Sequence, residues 1–241
     1  MDDDTYSARF VPVSTLDRDM RDQMLRIYLA SYDGSSETIF SGDLATKDEV
    51  LLVHRAGELV GFTTLRVFDR NWQGQDIRVV YSGDTVIERA HWGQQSLAFA
   101  WISRMGALRR EDPVTPLYWF LLVKGHRTFR YLPVFGKSFY PHWSIDRTDL
   151  KPLADTLAQE MFPDDYNSAS GVVEFGRSRG HLKPHLAQPS PEEMEREGVR
   201  FFLERNPGYQ RGHELVCLCE VEEQNMKALT LRLFRKGVRA V

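Results

Sequence analysis

The sequence predicts an α/β protein with a mixed, mainly antiparallel central sheet of about six or seven strands and helices on both of its faces. Residues 77–87 are rich in Val, Ile, Thr and Tyr, which suits a buried strand rather than a helix. After a short polar turn, apolar residues recur at helical spacing from Leu97 to Leu108 and predict a helix with one apolar face. The continuous apolar run at 117–123 is typical of a strand that is covered on both sides.

The other elements are predicted from apolar periodicity and from the turn residues that separate them. In chain order they are a strand at 9–13, a helix from Leu16 to Ser31, a short helix or a loop at 37–46, a hairpin of strands 49–55 and 59–68, a loop at 69–75, a short helix at 125–131 stopped by Pro133, a strand at 138–144, helices at 150–161 and 192–205, a strand at 213–221 and a last helix at 222–235. A hairpin therefore precedes a strand, turn, helix and strand.

The length and composition allow a single domain over residues 1–241. A chain of 241 residues with 42% hydrophobic and 12% aromatic side chains is long enough to bury a substantial core. We expect residues 9–144 and 213–235 to form this core. Residues 147–212 contain clusters of Pro, Gly, Asp and Ser around two predicted helices, which indicates a late helical insertion packed on the sheet.

Charge and hydropathy exclude several classes of partner. The chain has 31 Lys and Arg against 34 Asp and Glu, so a net charge of −3 leaves no broad positive field for a nucleic acid backbone. No apolar run approaches the ~20 residues that span a bilayer, and the acidic residues at 2–4 are unlike a signal peptide. We therefore expect a cytoplasmic protein without a nucleic acid partner or a membrane span. The oligomeric state is left open.

Neither the cysteines nor the histidines predict a metal site. Cys217 and Cys219 alternate along a predicted strand, so they share one face as buried, reduced thiols and do not bridge each other. His181 and His185 have the spacing of a metal pair, but Pro184 opposes the helix that would align them. We expect no metal.

The turn at 88–96 is a candidate binding element. A buried strand that passes through a polar turn with a glycine into a helix aims the first free backbone N–H groups of that helix beyond the strand end, where an anion can bind. Ordinary packing of a strand, a turn and a helix explains the same pattern equally well.

The order of elements resembles that of the GCN5-related N-acetyltransferase (GNAT) superfamily over roughly residues 9–144. In that family the strand and turn before the central helix hold the pyrophosphate of an acyl-coenzyme A, and a tyrosine follows the next strand. The second feature matches Tyr131, in the segment 124–131. The resemblance implies that the donor is bound by Val86, Ile87, Trp92, Gly93, Gln94, Gln95 and Ser96.

The turn departs from the family pattern. Trp92, Gln95 and Leu97 stand where the family has an Arg or Gln, a Gly, and a Gly or Ala, and only Gly93 lets the backbone approach closely. A weaker hold on a diphosphate favours the single phosphate of an acyl-phosphopantetheine on an acyl carrier protein, although the polar side chains of the turn can also bind phosphate. Arg127, Arg130 and Lys137 add positive charge that would attract such an acidic carrier, although a solvated helix face is the commoner explanation of such residues.

The length and the late insertion resemble those of long-chain N-acyl amino acid synthases, which belong to the same superfamily. Six aromatic residues either line a tunnel for a long acyl chain or fill the core, and core packing is the commoner role of each. They are Trp92, Phe99, Trp101, Tyr118, Trp119 and Phe120.

If the resemblance holds, acyl transfer to an amine needs a backbone N–H near 86–88 for the oxyanion, a base for the amine and an acid for the thiolate. Tyr131 is our candidate acid, with a plain core tyrosine as the alternative. The candidate bases are Asp84, Glu88 and His126. Asp84 lies within an apolar strand, where a carboxylate needs either a task or a partner, such as a salt bridge to Arg66 or Arg78.

The sequence therefore predicts an N-acyltransferase that moves an acyl group, preferably a fatty acyl group, from a coenzyme A or acyl-carrier-protein thioester to an amine. One alternative is an acetyl-CoA-dependent N-acetyltransferase of a small amine. The other is a non-catalytic acyl-binding or interaction module with the same fold.

Overall fold

A computed structural model describes residues 5–239. Its strands are β1 (Tyr6–Pro12), β2 (Tyr32–Asp33), β3 (Glu49–Arg55), β4 (Glu58–Trp72), β5 (Gln75–Ile87), β6 (Leu117–Val123), β7 (Tyr166–Asn167), β8 (Val172–Val173), β9 (His181–Leu182) and β10 (Glu214–Glu220). Its α-helices are α1 (Arg18–Ser31), α2 (Glu37–Leu44), α3 (Ser96–Glu111), α4 (His126–Phe129), α5 (Tyr131–Phe135), α6 (Lys151–Met161), α7 (Pro184–Ala187), α8 (Pro191–Met194), α9 (Glu197–Arg205) and α10 (Ala228–Arg239).

Within residues 5–239 the main sheet has eight strands in the order β1-β3-β4-β5-β6-β10-β8-β7. Neighbouring strands run antiparallel, apart from the parallel pair of β5 and β6. The predicted mixed, mainly antiparallel sheet is therefore confirmed. The expected count of six or seven strands is wrong because the late insertion supplies β7 and β8 to the sheet edge, and β9 pairs with β2 in a second, two-stranded sheet.

Helices cover both faces of the sheet, as predicted. On one face, α3 and α10 pack over a core that includes Leu51, Val80 and Cys217. On the opposite face, α1 and α2 pack over Val50 and Phe62, and α6 packs against the far end of the sheet. The strand period of two explains why neighbouring residues of β3 enter different cores.

The predicted cysteine strand is confirmed as β10. Cys217 and Cys219 are buried, unbridged and on the same face of the sheet. Burial raises the pKa of both thiols, so they remain protonated at neutral pH and pack as small apolar groups.

The predicted loop at 69–75 is in fact the end of a long hairpin. Strand β4 continues to Trp72, and β5 begins at Gln75. Gln73 and Gly74 have φ angles of 51° and 84°, which are the positive values that a tight two-residue hairpin turn requires. The sequence did not predict this extension because the side chains there are largely exposed and polar.

The predicted strand at 138–144 is also wrong. Only Tyr140 forms a β-bridge there, to Leu218, and the following Pro141 has no N–H to extend the ladder. Pro133 does not stop a helix either, because it lies in the first turn of α5, where proline is tolerated. The predicted helix at 192–205 is divided into α8 and α9, and the last helix begins at Ala228 rather than at 222.

Helices α3 and α10 cross with their backbones in direct contact. A Cβ atom added at Gly106 would overlap the carbonyl oxygen of Phe234, and one added at Gly237 would overlap the carbonyl oxygen of Ser103. Two helices approach this closely only where both lack side chains at the crossing.

We expect Gly106→Ala to lower the free energy of unfolding by about 1–3 kcal/mol, because the new methyl group forces the two helices apart. Gly42→Ala is the control, since nothing lies within 4 Å of a Cβ added at this position of α2. The control should be neutral or stabilising by about 0.5–1 kcal/mol, as alanine favours helix. Urea denaturation followed by circular dichroism measures both, and equal effects would contradict the close crossing.

Candidate functional site

The sheet opens between β5 and β6. Residues 78–82 of β5 pair with residues 117–121 of β6, but no pairing to β6 follows Ser82 within the described residues. On its other side β5 stays paired with β4 as far as Ile87. The last five residues of β5 therefore have a strand neighbour on one side only.

A β-bulge lies where the opening begins. Leu65 pairs with Ser82, whereas Thr63 pairs with Thr85, so β5 carries one extra residue between them. Gly83 occupies the bulge because a side chain there would collide with Lys47 and Thr64. The bulge changes the direction of the strand, and the next residue, Asp84, lines a cavity.

The backbone of Ile87 faces the opening. The Glu88 N–H donates to the Val60 carbonyl oxygen across a distance of 2.9 Å, which directs the backbone groups of Glu88 and Val86 toward β4. Since these directions alternate along a strand, the N–H and C=O of Ile87 point away from β4. The Ile87 carbonyl accepts a 2.9 Å hydrogen bond from Nε1 of Trp92, and its N–H remains directed into the opening.

A cavity of about 430 Å³ lies beside the opening, between the end of β5, the start of α3 and the segment 125–131. We call it the donor-side cavity. Six of the seven predicted donor-binding residues line it: Val86, Ile87, Trp92, Gly93, Gln94 and Gln95. The seventh, Ser96, is the first residue of α3 and does not line the cavity.

The first turn of α3 retains hydrogen-bonding capacity toward this cavity. The Gln94 side chain accepts a hydrogen bond from the Leu97 N–H at 3.3 Å. The N–H groups of Ser96 and Ala98 donate to no residue in the described part of the chain. Gly93 turns the chain with a φ of 89°, and nothing lies within 4 Å of its missing side chain. An anion placed here would meet free N–H groups and the positive end of the helix dipole.

Trp92 in the turn is connected to the insertion through Arg127. The Arg127 guanidinium lies 4.4 Å from the centre of the Trp92 ring and donates to Glu193 at 2.8 Å and to the Leu186 carbonyl at 2.5 Å. Leu182, Leu186 and Glu193 also line the donor-side cavity. The insertion thus supplies one wall of this cavity.

Tyr131 and His126 both lie in the donor-side cavity. Burial raises the pKa of Tyr131, so its hydroxyl remains protonated, and that hydroxyl bonds to no described residue. His126 is buried, and neither ring nitrogen makes a hydrogen bond within the described residues. Burial, reinforced by Arg127, lowers the pKa of His126, while Glu193, whose carboxylate oxygen lies 3.4 Å from Nε2, opposes this shift. His126 is therefore neutral at pH 7.

A second cavity of about 430 Å³ lies on the other side of the opening. We call it the acceptor-side cavity. Its wall includes Asp84, Tyr28 and residues of the insertion, and it shares Tyr32, Thr85 and Thr128 with the donor-side cavity. The two cavities therefore meet at the point where β5 and β6 separate.

The Asp84 carboxyl makes no hydrogen bond or ion pair with another described residue. The two salt bridges suggested by the sequence do not form, because Arg78 pairs with Asp69 at 2.8 Å and Arg66 lies over the ring of Phe68. Burial raises the pKa of Asp84 to about 7, and the charge of Asp43 adds to this effect. Lys124 and Lys47 oppose the shift. A carboxyl with this pKa exchanges protons readily near neutral pH.

The three predicted catalytic residues lie in two different cavities. Asp84 lines the acceptor-side cavity, whereas Tyr131 and His126 line the donor-side cavity. The suggested aromatic tunnel is wrong, because Trp101, Trp119 and Phe120 are buried in the core and only Trp92 of the six aromatics lines a cavity.

Sequence reasoning missed several residues of the acceptor-side cavity, namely Tyr28, Tyr32, Asp43, Lys124, Arg179 and Glu214. They come from five separate stretches of the chain. The spacing of Asp43 and Lys47 at i and i+4 was the one local signal available, and it is common on solvated helices.

The order of elements and the mixed sheet with its opening between two parallel strands match the α/β fold class that the sequence predicted. Solved structures with a similar fold include a probable N-acyltransferase from Enterococcus faecalis V583, with 12% identity and a TM-score of 0.41 over 55% of this chain and 33% of that one. This chain thus spans about a third of the length of that protein.

Two further solved structures have similarly low sequence identities and TM-scores to this chain. An acyl-CoA N-acyltransferase from Pseudomonas aeruginosa shows 18% identity and a TM-score of 0.37 over 48% of this chain and 79% of that one. A GNAT family N-acetyltransferase from Escherichia coli, solved with CoA, shows 13% identity and a TM-score of 0.37 over 53% of this chain and 68% of that one. No family model and no curated protein sequence matches this chain.

Two kinds of feature are absent from residues 5–239. No group of three or more His, Cys, Asp or Glu side chains is placed to hold a metal ion. None of the helices has both the length and the apolar character needed to cross a membrane.

We expect Asp84 to titrate near pH 7, measured by NMR of labelled carboxyl carbons. Asp43→Asn should lower this pKa, because it removes a negative charge that opposes ionisation of Asp84 and frees Lys47 to favour it. Asp19→Asn, on the exposed surface of α1, is the control and should leave the Asp84 pKa unchanged. An Asp84 pKa near 4 in the unmodified protein would contradict the buried, unpaired carboxyl.

Proposed function

We propose that this chain is an N-acyltransferase that moves an acyl group from a coenzyme A or acyl-phosphopantetheine thioester to an amine. The observation that carries the proposal is the meeting of two cavities at the opening between β5 and β6. Two reactants that enter from opposite sides would be held with their reacting atoms together, and such positioning lowers a barrier by up to about 7–11 kcal/mol. The buried free thiols are compatible with a reducing, cytoplasmic location.

The donor-side cavity has the features that a phosphorylated thiol arm needs. The free N–H groups at the start of α3, with the side chain of Gln95, would bind a phosphate. The arm would then follow the unpaired edge of β5 toward Ile87, whose backbone has no strand partner on that side. Arg130 lines the cavity and makes no ion pair with a described residue, so it adds positive charge at the site of a donor phosphate.

The proton transfers can be assigned to the two cavities. The amine nitrogen would attack the thioester carbonyl from the acceptor side, and Asp84 would accept the proton that the nitrogen loses as the C–N bond forms. The Ile87 N–H would stabilise the oxyanion of the tetrahedral intermediate. As the C–S bond breaks, Tyr131 would donate its proton to the sulfur on the donor side. A base and an acid on opposite sides of the opening suit this reaction, and His126 is a second candidate for the acid.

The length of the acyl chain distinguishes two forms of the proposal. Our preferred donor carries a fatty acyl group, and the apolar side chains of Ala98, Val134, Leu182 and Leu186 in the donor-side cavity support it. The modest cavity volume instead favours the alternative, an acetyl-CoA-dependent N-acetyltransferase. A non-catalytic acyl-binding module is favoured by the departure of the turn from the family pattern.

We expect amine-dependent thiol release from acyl-CoA, with palmitoyl-CoA used more efficiently than acetyl-CoA, because the apolar wall of the insertion contacts the longer chain. Release is followed with a thiol reagent over a panel of amines, and an acyl carrier protein loaded with the same chains is compared with coenzyme A. A preference for acetyl-CoA would refute the fatty acyl donor. Binding of donors without release for any amine would leave only the non-catalytic module.

We expect Tyr131→Phe to lower kcat about a hundredfold or more while changing donor Kd about twofold at most, because the variant loses a proton donor and keeps the ring that packs on Phe135. Tyr118→Phe is the matched control, since Tyr118 lines neither cavity. Stopped-flow turnover and calorimetric donor binding separate the two constants. A loss of affinity with unchanged kcat would refute the role of Tyr131 as the acid.

A further inference from the structure

The outer side of helix α10 is positively charged. Its residues Arg232, Arg235, Lys236 and Arg239 are exposed, and the helix contains no acidic residue. Arg235 pairs with Glu223 of the preceding turn at 3.0 Å, whereas Arg232 and Lys236 form no ion pair or hydrogen bond within residues 5–239. Because residues four apart share one side of a helix, these two cations lie next to each other without an acid to neutralise them.

The same charge extends to the rim of the donor-side cavity. Lys227, the residue before α10, donates to the Pro133 carbonyl oxygen of α5, and the next residue of α5, Val134, lines the cavity. Arg130 also lines the cavity and is exposed, as is Lys137 just after α5. Cations therefore continue from the cavity along α5 onto α10. We call this surface the basic face, and it consists of Arg130, Lys137, Lys227, Arg232 and Lys236.

Large apolar side chains are exposed beside these cations. Val134 is 52% exposed, Leu229 43% and Trp92 38%. Val134 and Trp92 lie on the rim of the donor-side cavity, and Leu229 precedes Arg232 by three residues on α10. The one polar atom of the Trp92 ring, Nε1, donates to the Ile87 carbonyl oxygen, so the exposed part of the indole is apolar. Exposed apolar side chains among cations are typical of a surface that binds lipid.

We propose that the basic face, together with Trp92, Val134 and Leu229, binds the surface of a membrane that contains anionic lipids. The cations would lie at the lipid phosphates, and the apolar side chains would enter the interfacial layer, where tryptophan is favoured. The chain as a whole has a net charge of −3, so the surface outside the basic face carries excess acid and is repelled by the same lipids. The protein is therefore bound in one orientation.

This orientation places the mouth of the donor-side cavity against the lipid. A membrane is favoured over an acidic protein because the exposed apolar side chains belong to three separate elements, and a fluid interface accepts each of them without a matching shape. The inference concerns a binding surface and does not depend on acyl transfer.

The test measures co-sedimentation of the full chain with vesicles, without an acyl donor or an amine. One set of vesicles contains phosphatidylcholine alone, and the other also contains phosphatidylglycerol, which is anionic. We expect binding to the anionic vesicles only. Added salt should weaken this binding, because it screens the attraction between the cations and the lipid phosphates.

Arg232→Gln combined with Lys236→Gln should lower the affinity for anionic vesicles about twentyfold, since each cation near such a surface contributes about fivefold. Arg18→Gln combined with Arg26→Gln is the matched control. It removes the same charge from exposed positions of α1, on the opposite face of the sheet, and should change the affinity about twofold at most. Leu229→Gln keeps every cation and should lower the affinity about threefold or more, because it removes an apolar contact. Circular dichroism establishes that each variant is folded.

Equal binding to both kinds of vesicle, an equal effect of the two double variants, or an unchanged affinity for Leu229→Gln would overturn the inference. An absence of binding to either vesicle would also overturn it. If an acyl carrier protein then binds to the unmodified protein and binds less to the Arg232→Gln and Lys236→Gln variant, the basic face recognises an acidic protein instead. Thiol release in solution tests the proposed acyl transfer separately from each of these outcomes.

Discussion

The separation of β5 from β6 is the constraint on which the rest of the site depends. Antiparallel pairing with β4 holds β5 in place as far as Ile87, whereas parallel pairing with β6 ends at Ser82. The backbone groups of β5 beyond that point lack a strand partner on one side, and buried backbone groups need a partner. Both cavities, the bulge at Gly83 and the free N–H of Ile87 lie at this opening. In the proposed reaction, a bound thiol arm would supply the missing contacts.

The insertion completes the site. Its strand β9 pairs with β2, and Glu193 of its helix α8 accepts a hydrogen bond from Arg127. Its loops place Phe175 and Arg179 at the acceptor-side cavity. One stretch of chain therefore contributes to the walls of both cavities. In the proposed reaction this arrangement divides the proton transfers, with the base on one side of the sheet and the acid on the other.

Most of the sheet could be predicted from the sequence because its strands are apolar on one or both faces. The run at 117–123 matches β6, and 49–55 matches β3, since burial dictates their composition. Residues 69–75 and 138–144 were assigned wrongly because an apolar pattern reports burial and not strand pairing itself. The end of the hairpin is exposed and polar, so it has no apolar pattern, whereas Phe139 and Tyr140 are buried but belong to an irregular segment beside Pro141.

Tyr131 and His126 became candidates through the family resemblance. The sequence by itself determined the mixed sheet, the turn at 88–96 and Asp84 as a carboxyl within an apolar strand. These features follow from local composition, because a carboxyl in an apolar strand or a glycine before a helix can be recognised from its neighbours along the chain. Only the tertiary structure decided which cavity each group faces, and that Asp84 lacks a partner among the described residues. Pairing of charges depends on segments that are distant in sequence, and local periodicity contains no record of those contacts.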